Sequence, residues 1–103
     1  MKQKQTKKEA LNTCKNYQPI IGKLYLTKDN GVEVVEAICI VPFDKKNKAI
    51  FIERYKIYRN PDKAISFYDG GDYTVMVITT CATGICCREL DKFINGEGIL
   101  QHG

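Results

Sequence analysis

The feature that most constrains the fold is the stretch 37–59, in which two runs of β-branched and aromatic residues flank a short polar break. Val, Ile, Phe and Tyr favour strands, and a short polar break between two such runs is typical of a hairpin. A loop at 45–47 lets Asn47 take the left-handed conformation that a three-residue turn needs. The pattern therefore predicts a central β-hairpin with strands at 32–43 and 48–59.

The register of this hairpin predicts which face is buried. It sets Val41 opposite Phe51 and continues the same apolar face through Val35. The pair Asn30-Gly31 is the strongest two-residue turn signal, and it adds a preceding strand at 20–28. Closing that turn also brings Val35 to the apolar face, so two independent turns choose the same core. The Asn30-Gly31 turn also pairs Glu33 with Lys28, and on the other face the central hairpin pairs Glu36 with Lys56.

The sequence predicts a single α+β domain over residues 1–103, with a frayed tail at 1–5. Thr6 and Glu9 form a capping box that starts an N-terminal helix. Further strands are predicted at 64–68 and 73–81, and a short C-terminal helix at 86–94. The expected architecture is an N-terminal helix, a five-stranded antiparallel meander and a short C-terminal helix, with the sheet either open or curled into a small barrel.

Composition excludes several classes of protein. The chain is 44% hydrophobic and 27% charged, and no apolar run approaches the length of a membrane span. The basic, polar N-terminus has no signal-peptide pattern, and five irregularly spaced cysteines are an odd number. We therefore expect a cytoplasmic protein with reduced thiols and no membrane association.

The cysteines raise the question of a metal site. Cys81, Cys86 and Cys87, joined by Cys14, Cys39 or His102, have the donor types of a zinc centre. The adjacent pair Cys86-Cys87 lacks the spacing of a zinc knuckle, because neighbouring side chains point apart. We therefore expect no metal and no cofactor, and interpret these residues as small buried side chains.

The sequence patterns also argue against a catalytic site. Cys86 or Cys87 at a predicted helix N-terminus would have a lowered thiol pKa, but Cys81 and Arg88 miss the phosphatase-loop spacing by one residue. The only histidine, His102, lies near the end of the chain. Glu53, placed on the core face, stays open as a functional buried carboxylate. The expected protein is not an enzyme and has no catalytic residues.

The non-core face carries more isoleucine than a monomer leaves exposed. We expect this patch to bind a partner protein or a second copy of the chain. The function predicted is a small non-enzymatic binding module, such as an inhibitor or regulator from a phage or mobile element. The partner-binding residues predicted are Ile21, Ile38, Ile40, Ile50 and Ile52.

An alternative is a nucleic-acid-binding β-domain. The run 54–59 interleaves cations and aromatic rings, as single-strand nucleic-acid surfaces do. The net charge of +4 gives this alternative little support, and Glu36 lies within the patch. The residues predicted for it are Lys23, Tyr25, Arg54, Lys56 and Tyr58.

Overall fold

The computed structural model describes residues 4–27, 31–82 and 84–100. Its elements are α1 (Lys7–Tyr17), a 3₁₀ turn (Gln18–Ile20), β1 (Leu24–Thr27), β2 (Val32–Pro42), α2 (Lys45–Tyr58), α3 (Pro61–Ile65), β3 (Tyr73–Cys81), β4 (Gly84–Glu89), α4 (Leu90–Lys92), a π-helical turn (Phe93–Glu97) and β5 (Gly98–Leu100). The strands form an open antiparallel sheet with the order β4-β3-β2-β1, and the three-residue strand β5 adds to the β1 edge. Among the described residues, no helix has the length and apolar content needed to cross a membrane.

Helices cover both faces of the sheet. On one side, the α1 face, Ala10 and Cys14 of α1 pack with Val35, Ile38 and other buried strand residues. On the other side, the α2 face, Phe51 and Tyr55 of α2 and Ala64 of α3 pack against a second buried cluster. Strand β3 is therefore apolar on both faces, as a strand covered on both sides must be.

The N-terminal helix and the two longest strands confirm the sequence prediction. The Thr6 side chain accepts a hydrogen bond from the Glu9 backbone, and Glu9 returns one to the Thr6 backbone, which completes the capping box. Strand β2 matches the predicted 32–43 closely, and β3 has the predicted bounds. Within the tail expected to be frayed, Gln5 pairs with Tyr73 through two backbone hydrogen bonds of 2.7 and 2.8 Å.

The expected strand at 48–59 is wrong, because this segment is the helix α2. Asp44 caps its first turn by accepting a hydrogen bond from the Asn47 backbone at 2.9 Å. Phe51 and Tyr55 then pack side by side toward the sheet, four residues apart. Residues four apart lie on the same face in both a strand and a helix, so the positions of Phe51 and Tyr55 are consistent with either structure.

The expected strand at 64–68 is also wrong, and the five-stranded meander is corrected accordingly. Asn60 caps the short helix α3, with Pro61 at its first position. Along the chain, α2 and α3 connect β2 to β3, and these two strands pair directly with each other in the sheet. The sheet consists of four strands, β1 to β4, with β5 as a short addition at the edge.

Two differences in register change the predicted core. Strand β1 pairs Tyr25 with Glu33, three residues away from the register predicted from Asn30-Gly31. An odd offset reverses the faces, so Tyr25 is buried and Leu24 is 48% exposed. A bulge at Glu36 then places Val35 and Ala37 on opposite faces. Residues 28–30, including Lys28, lie outside the described residues.

The predicted C-terminal helix at 86–94 is only partly correct. Cys86 and Cys87 lie in strand β4, which pairs with β3 around Gly84, a residue with a φ of 131°. Glycine accommodates the positive φ at Gly84 without a Cβ clash, which allows the tight connection between β3 and β4. The helical part of the predicted segment consists of α4 and the π-helical turn that follows it.

Candidate functional site

The structure does not bring the five predicted partner-binding isoleucines onto one surface. Ile38 and Ile40 are buried on the α1 face of β2, at 6% and 7% exposure. Ile50 and Ile52 lie on α2, which packs against the opposite face, and Ile21 precedes β1. The predicted patch depended on a strand at 48–59, and the helix α2 removes that premise.

The residues of the nucleic-acid alternative are also dispersed. Tyr25 is fully buried, and Lys23 directly precedes β1, whereas the other three residues lie on α2. Arg54 donates hydrogen bonds to the Ala64 and Lys63 carbonyls at 3.1 and 2.7 Å, so it links α2 to α3. Lys56 lies 3.6 Å from Glu53, in an exposed ion pair. Glu53, the expected buried carboxylate, is therefore at the surface, because α2 turns it away from the sheet.

Tyr58 is the most accessible aromatic residue of that set. It is 48% exposed, and the Arg54 guanidinium lies 5.4 Å from its ring centre. The Lys63 ammonium lies 5.9 Å from the same ring, and Phe67 also contacts Arg54. These contacts make a small cation–aromatic cluster that joins α2 to the segment following α3.

A buried polar network surrounds Glu33 on the α1 face. Its Oε1 accepts hydrogen bonds from Tyr25 at 2.5 Å, Thr79 at 2.7 Å and Arg88 at 2.7 Å. Burial alone would raise the pKa of Glu33, but the hydrogen bonds from Arg88, Tyr25 and Thr79 lower it to about 2. Burial and the neighbouring carboxylate raise the pKa of Tyr25 to about 12. The glutamate is therefore ionised and the tyrosine neutral at physiological pH.

Sequence reasoning missed this network. It predicted a cation opposite Glu33, but the partner is Arg88, 55 residues further along the chain. Only the pairing of β3 with both β2 and β4 brings the two side chains together. No local pattern in the sequence encodes that contact.

Four of the five thiols have raised pKa values. No disulfide joins the five cysteines, all of which lie in the described residues. Burial raises the pKa of Cys14 to about 11, and it also raises the pKa of Cys39, Cys86 and Cys87. A thiol is reactive as its thiolate, so raised pKa values oppose nucleophilic catalysis at neutral pH.

One edge of β2 is left open over much of its length. Strand β1 pairs only with residues 32–34, and Val35 bonds to Gly22 and Lys23. Beyond that point, the Phe43 N–H donates to the Asp72 carbonyl, which fixes the odd-numbered residues as those that bond to β3. The N–H and C=O groups of Ile38 and Ile40 therefore point away from β3, and no described residue pairs with them.

This open edge forms the floor of a groove between two helices. Leu11 and Cys14 of α1 line one wall, and Pro61 and Ile65 of α3 line the other. The cavity has a volume of about 380 Å³, and its floor is the segment 38–40 of β2. Lys7 adds a positive charge on the α1 side, and Asp62 adds a negative charge on the α3 side. The groove thus combines unpaired backbone groups with apolar walls.

In comparisons with known proteins, the chain matches no family model, no curated protein and no solved structure. Function must therefore be inferred from the geometry and chemistry of the described residues.

Proposed function

We propose that this chain is a non-enzymatic protein-binding module that takes an extended segment of a partner protein as an added strand on β2. The observation that carries the proposal is the open β2 edge at Ile38 and Ile40, at the bottom of the groove between α1 and α3. Strand addition to an exposed edge obtains affinity from backbone hydrogen bonds and specificity from pockets for alternate side chains. This groove offers both.

The backbone groups set the length of the added strand. Ile38 and Ile40 each present one N–H and one C=O toward the groove. Pro42 has no N–H and ends the donor row on one side, while the bulge at Glu36 ends it on the other. An extended segment of about five residues spans this row.

The walls set the chemistry of the partner. Successive side chains of an added strand point to opposite sides, so they meet the α1 wall and the α3 wall in turn. Leu11 is 49% exposed on one wall, and Pro61 and Ile65 form the other. Because both walls are apolar, the bound segment carries apolar side chains at successive positions.

A second copy of the chain is a poorer occupant than a peptide. The β2 edge lies recessed between α1 and α3, and the residues of its floor are at most 7% exposed. In a twofold dimer, the two recessed edges would have to meet while each carried two flanking helices. A single extended segment enters such a groove without that conflict, which favours a peptide over self-association.

The test is a selection of peptides by the immobilised chain from a displayed library of random peptides. We expect enriched sequences with apolar residues at successive positions. Their addition should protect the Ile38 and Ile40 amides from hydrogen exchange, because those N–H groups become bonded. Failure to enrich any peptide, or enriched peptides that leave both amides exchanging as before, would contradict strand addition.

Matched variants locate the site. Leu11→Arg places a charge on the groove wall, and we expect it to weaken the selected peptides about tenfold or more. Ile57→Arg makes the same type of change at an exposed position of α2 outside the groove, where Ile57 is 73% exposed. Equal affinity of the Leu11→Arg variant and the unchanged chain would place binding elsewhere.

The proposal places the protein in the cytoplasm, where the five cysteines stay reduced. It also gives the protein the role of an inhibitor or regulator of the partner that it binds. The nucleic-acid alternative has less support, because Arg54 is engaged with α3 and Tyr25 is buried. Nucleic-acid binding would weaken steeply with salt in a gel-shift titration. We expect no such salt-dependent shift.

A further inference from the structure

Three potential metal ligands converge at the end of the β3–β4 pair, outside the groove. The carboxylate of Glu33 and the thiols of Cys81 and Cys86 each offer a ligand atom, and these atoms lie within 4.8 Å of one another. The residues come from three adjacent strands, β2, β3 and β4. A compact set of two sulfur ligands and one oxygen ligand is of the type that zinc accepts.

Strand pairing explains why these residues meet. Thr79 pairs with Cys86 and Cys81 pairs with Gly84, so both cysteines project on the face of the sheet that holds Glu33. Cys87, the neighbour of Cys86, projects on the opposite face and packs in the other core cluster. The sequence argument against an adjacent Cys-Cys pair therefore holds for Cys87, but it does not apply to Cys81 and Cys86.

The sequence does carry a signal for this pair. Four residues separate Cys81 from Cys86, within the spacing of zinc-binding cysteine pairs, and they include Gly84 at the turn. The third ligand, Glu33, has no local signal because it lies 48 residues before Cys81.

The hydrogen bonds to the Glu33 carboxylate fall mainly on one of its two oxygens. Its Oε1 accepts the three short hydrogen bonds from Tyr25, Thr79 and Arg88. Within the described part of the chain, Oε2 accepts only one long bond, 3.4 Å from Arg88 Nη2. Hydrogen bonds of this kind hold the ligating carboxylates of metal centres in place, and here they leave one oxygen with coordination capacity.

We propose that Glu33, Cys81 and Cys86 bind one divalent cation of the zinc class, with the fourth position open to water. On binding, each thiol releases its proton to solvent and its sulfur bonds to the ion as a thiolate. Two thiolates, the Glu33 carboxylate, the Arg88 guanidinium and the divalent ion then sum to zero charge. Without thiolates the site would be strongly positive, so hard cations such as Mg²⁺ and Ca²⁺, which prefer oxygen, should not bind.

The experiment titrates the reduced full chain with Cd²⁺, whose bonds to thiolate give an ultraviolet charge-transfer absorption. We expect this absorption to saturate at one ion per chain and to be unaffected by excess Mg²⁺. Absence of the absorption in the unchanged chain would overturn the proposal, and this measurement needs no variant.

Variants then assign the ligands. We expect Cys81→Ser and Cys86→Ser each to weaken Cd²⁺ binding by about tenfold or more, with an unchanged far-ultraviolet circular dichroism spectrum. Cys87→Ser is the matched control, because Cys87 lies in the same strand on the opposite face. Loss of binding in Cys87→Ser with retention in the other two variants would place the ion elsewhere and contradict the assignment.

Discussion

Glu33 and Glu36, three residues apart on β2, are held in the same way on opposite faces of the sheet. Each carboxylate accepts hydrogen bonds from one tyrosine, one threonine and one arginine. The threonines are neighbours on β3 and project to opposite faces, which allows each to serve a different glutamate. The donors are Tyr25, Thr79 and Arg88 for Glu33, and Tyr55, Thr80 and Arg59 for Glu36.

Glu36 makes stability depend on pH. Burial alone would raise its pKa, but the hydrogen bonds from Arg59, Thr80 and Tyr55 outweigh burial and lower it. A carboxyl with a lowered pKa in the folded state stabilises the fold above its unfolded pKa, about 4.3 for glutamate, and loses this contribution as pH falls through the folded value. We therefore expect Glu36→Gln to destabilise the protein at neutral pH and to have a decreasing effect as the pH falls.

Urea denaturation of both proteins between about pH 7 and about pH 3 measures this difference. Glu33 is present in both proteins, so its own titration largely cancels in the comparison. A difference in unfolding free energy that stayed constant across this range would show that ionised Glu36 does not stabilise the fold.

Arg54 is a residue whose shape matters more than its charge. Its Nε and Nη2 atoms donate to two α3 carbonyls and to Ser66 Oγ, which a lysine ammonium cannot reproduce in the same geometry. We expect Arg54→Lys to lower the free energy of unfolding by about 1–3 kcal/mol. Chemical denaturation measures this, with Lys46→Ala on the exposed first turn of α2 as a control that should change little. A loss no larger than that of the control would refute the role of Arg54 as a link.

At the scale of elements, local signals predicted α1, β2 and β3, and long-range packing determined the rest. The capping box at Thr6 and the apolar run of β3 act within a few residues, so the sequence alone reveals them. In α2, Phe51 and Tyr55 fit two periods at once, and only the cap at Asp44 distinguished a helix from a strand. Intrinsic strand preference of Ile and Tyr gave way to packing of the helix on the α2 face.

The candidate sites were predictable to the same limited extent. Ile38 and Ile40 belonged to the predicted partner surface, and their backbone now forms the floor of the groove. Their side chains are buried because α1 covers the face of β2 that was expected to stay exposed. The open edge follows from which strands pair with β2, and no local sequence pattern shows that pairing.

The N-cap of α2 provides a test of this element. Asp44 accepts a hydrogen bond from the Asn47 backbone, so Asp44→Ala leaves a first-turn N–H without its side-chain partner. We expect Asp44→Ala to lower the free energy of unfolding, measured by chemical denaturation. Asp44→Asn retains a capping oxygen and should lose much less. Equal losses in the two variants would indicate that the cap does not stabilise α2.

At the scale of the molecule, the path of the chain explains both the two cores and the groove. Between β2 and β3, the chain leaves the sheet to form α2 and α3, which cover one face while α1 covers the other. Strand β1 pairs only with the first residues of β2, so the remaining β2 edge lies open between α1 and α3. The helices cover the faces of the sheet but not this edge, so the backbone groups of Ile38 and Ile40 that point away from β3 have no strand partner among the described residues.

Because one sheet supports both cores, we expect the two faces to unfold together. Ile38 is buried on the α1 face and Ile78 on the α2 face. Ile38→Val and Ile78→Val should each cost about 0.5–1.5 kcal/mol and lower the midpoint of one common transition. Far-ultraviolet circular dichroism reports the backbone, and tyrosine fluorescence reports the side-chain surroundings of all six tyrosines, which include Tyr25 on the α1 face and Tyr55 on the α2 face. A shared sheet transmits a loss of stability on one face to the other, so the two signals should have the same midpoint. Different midpoints in either variant would mean that the helices on the two faces unfold independently.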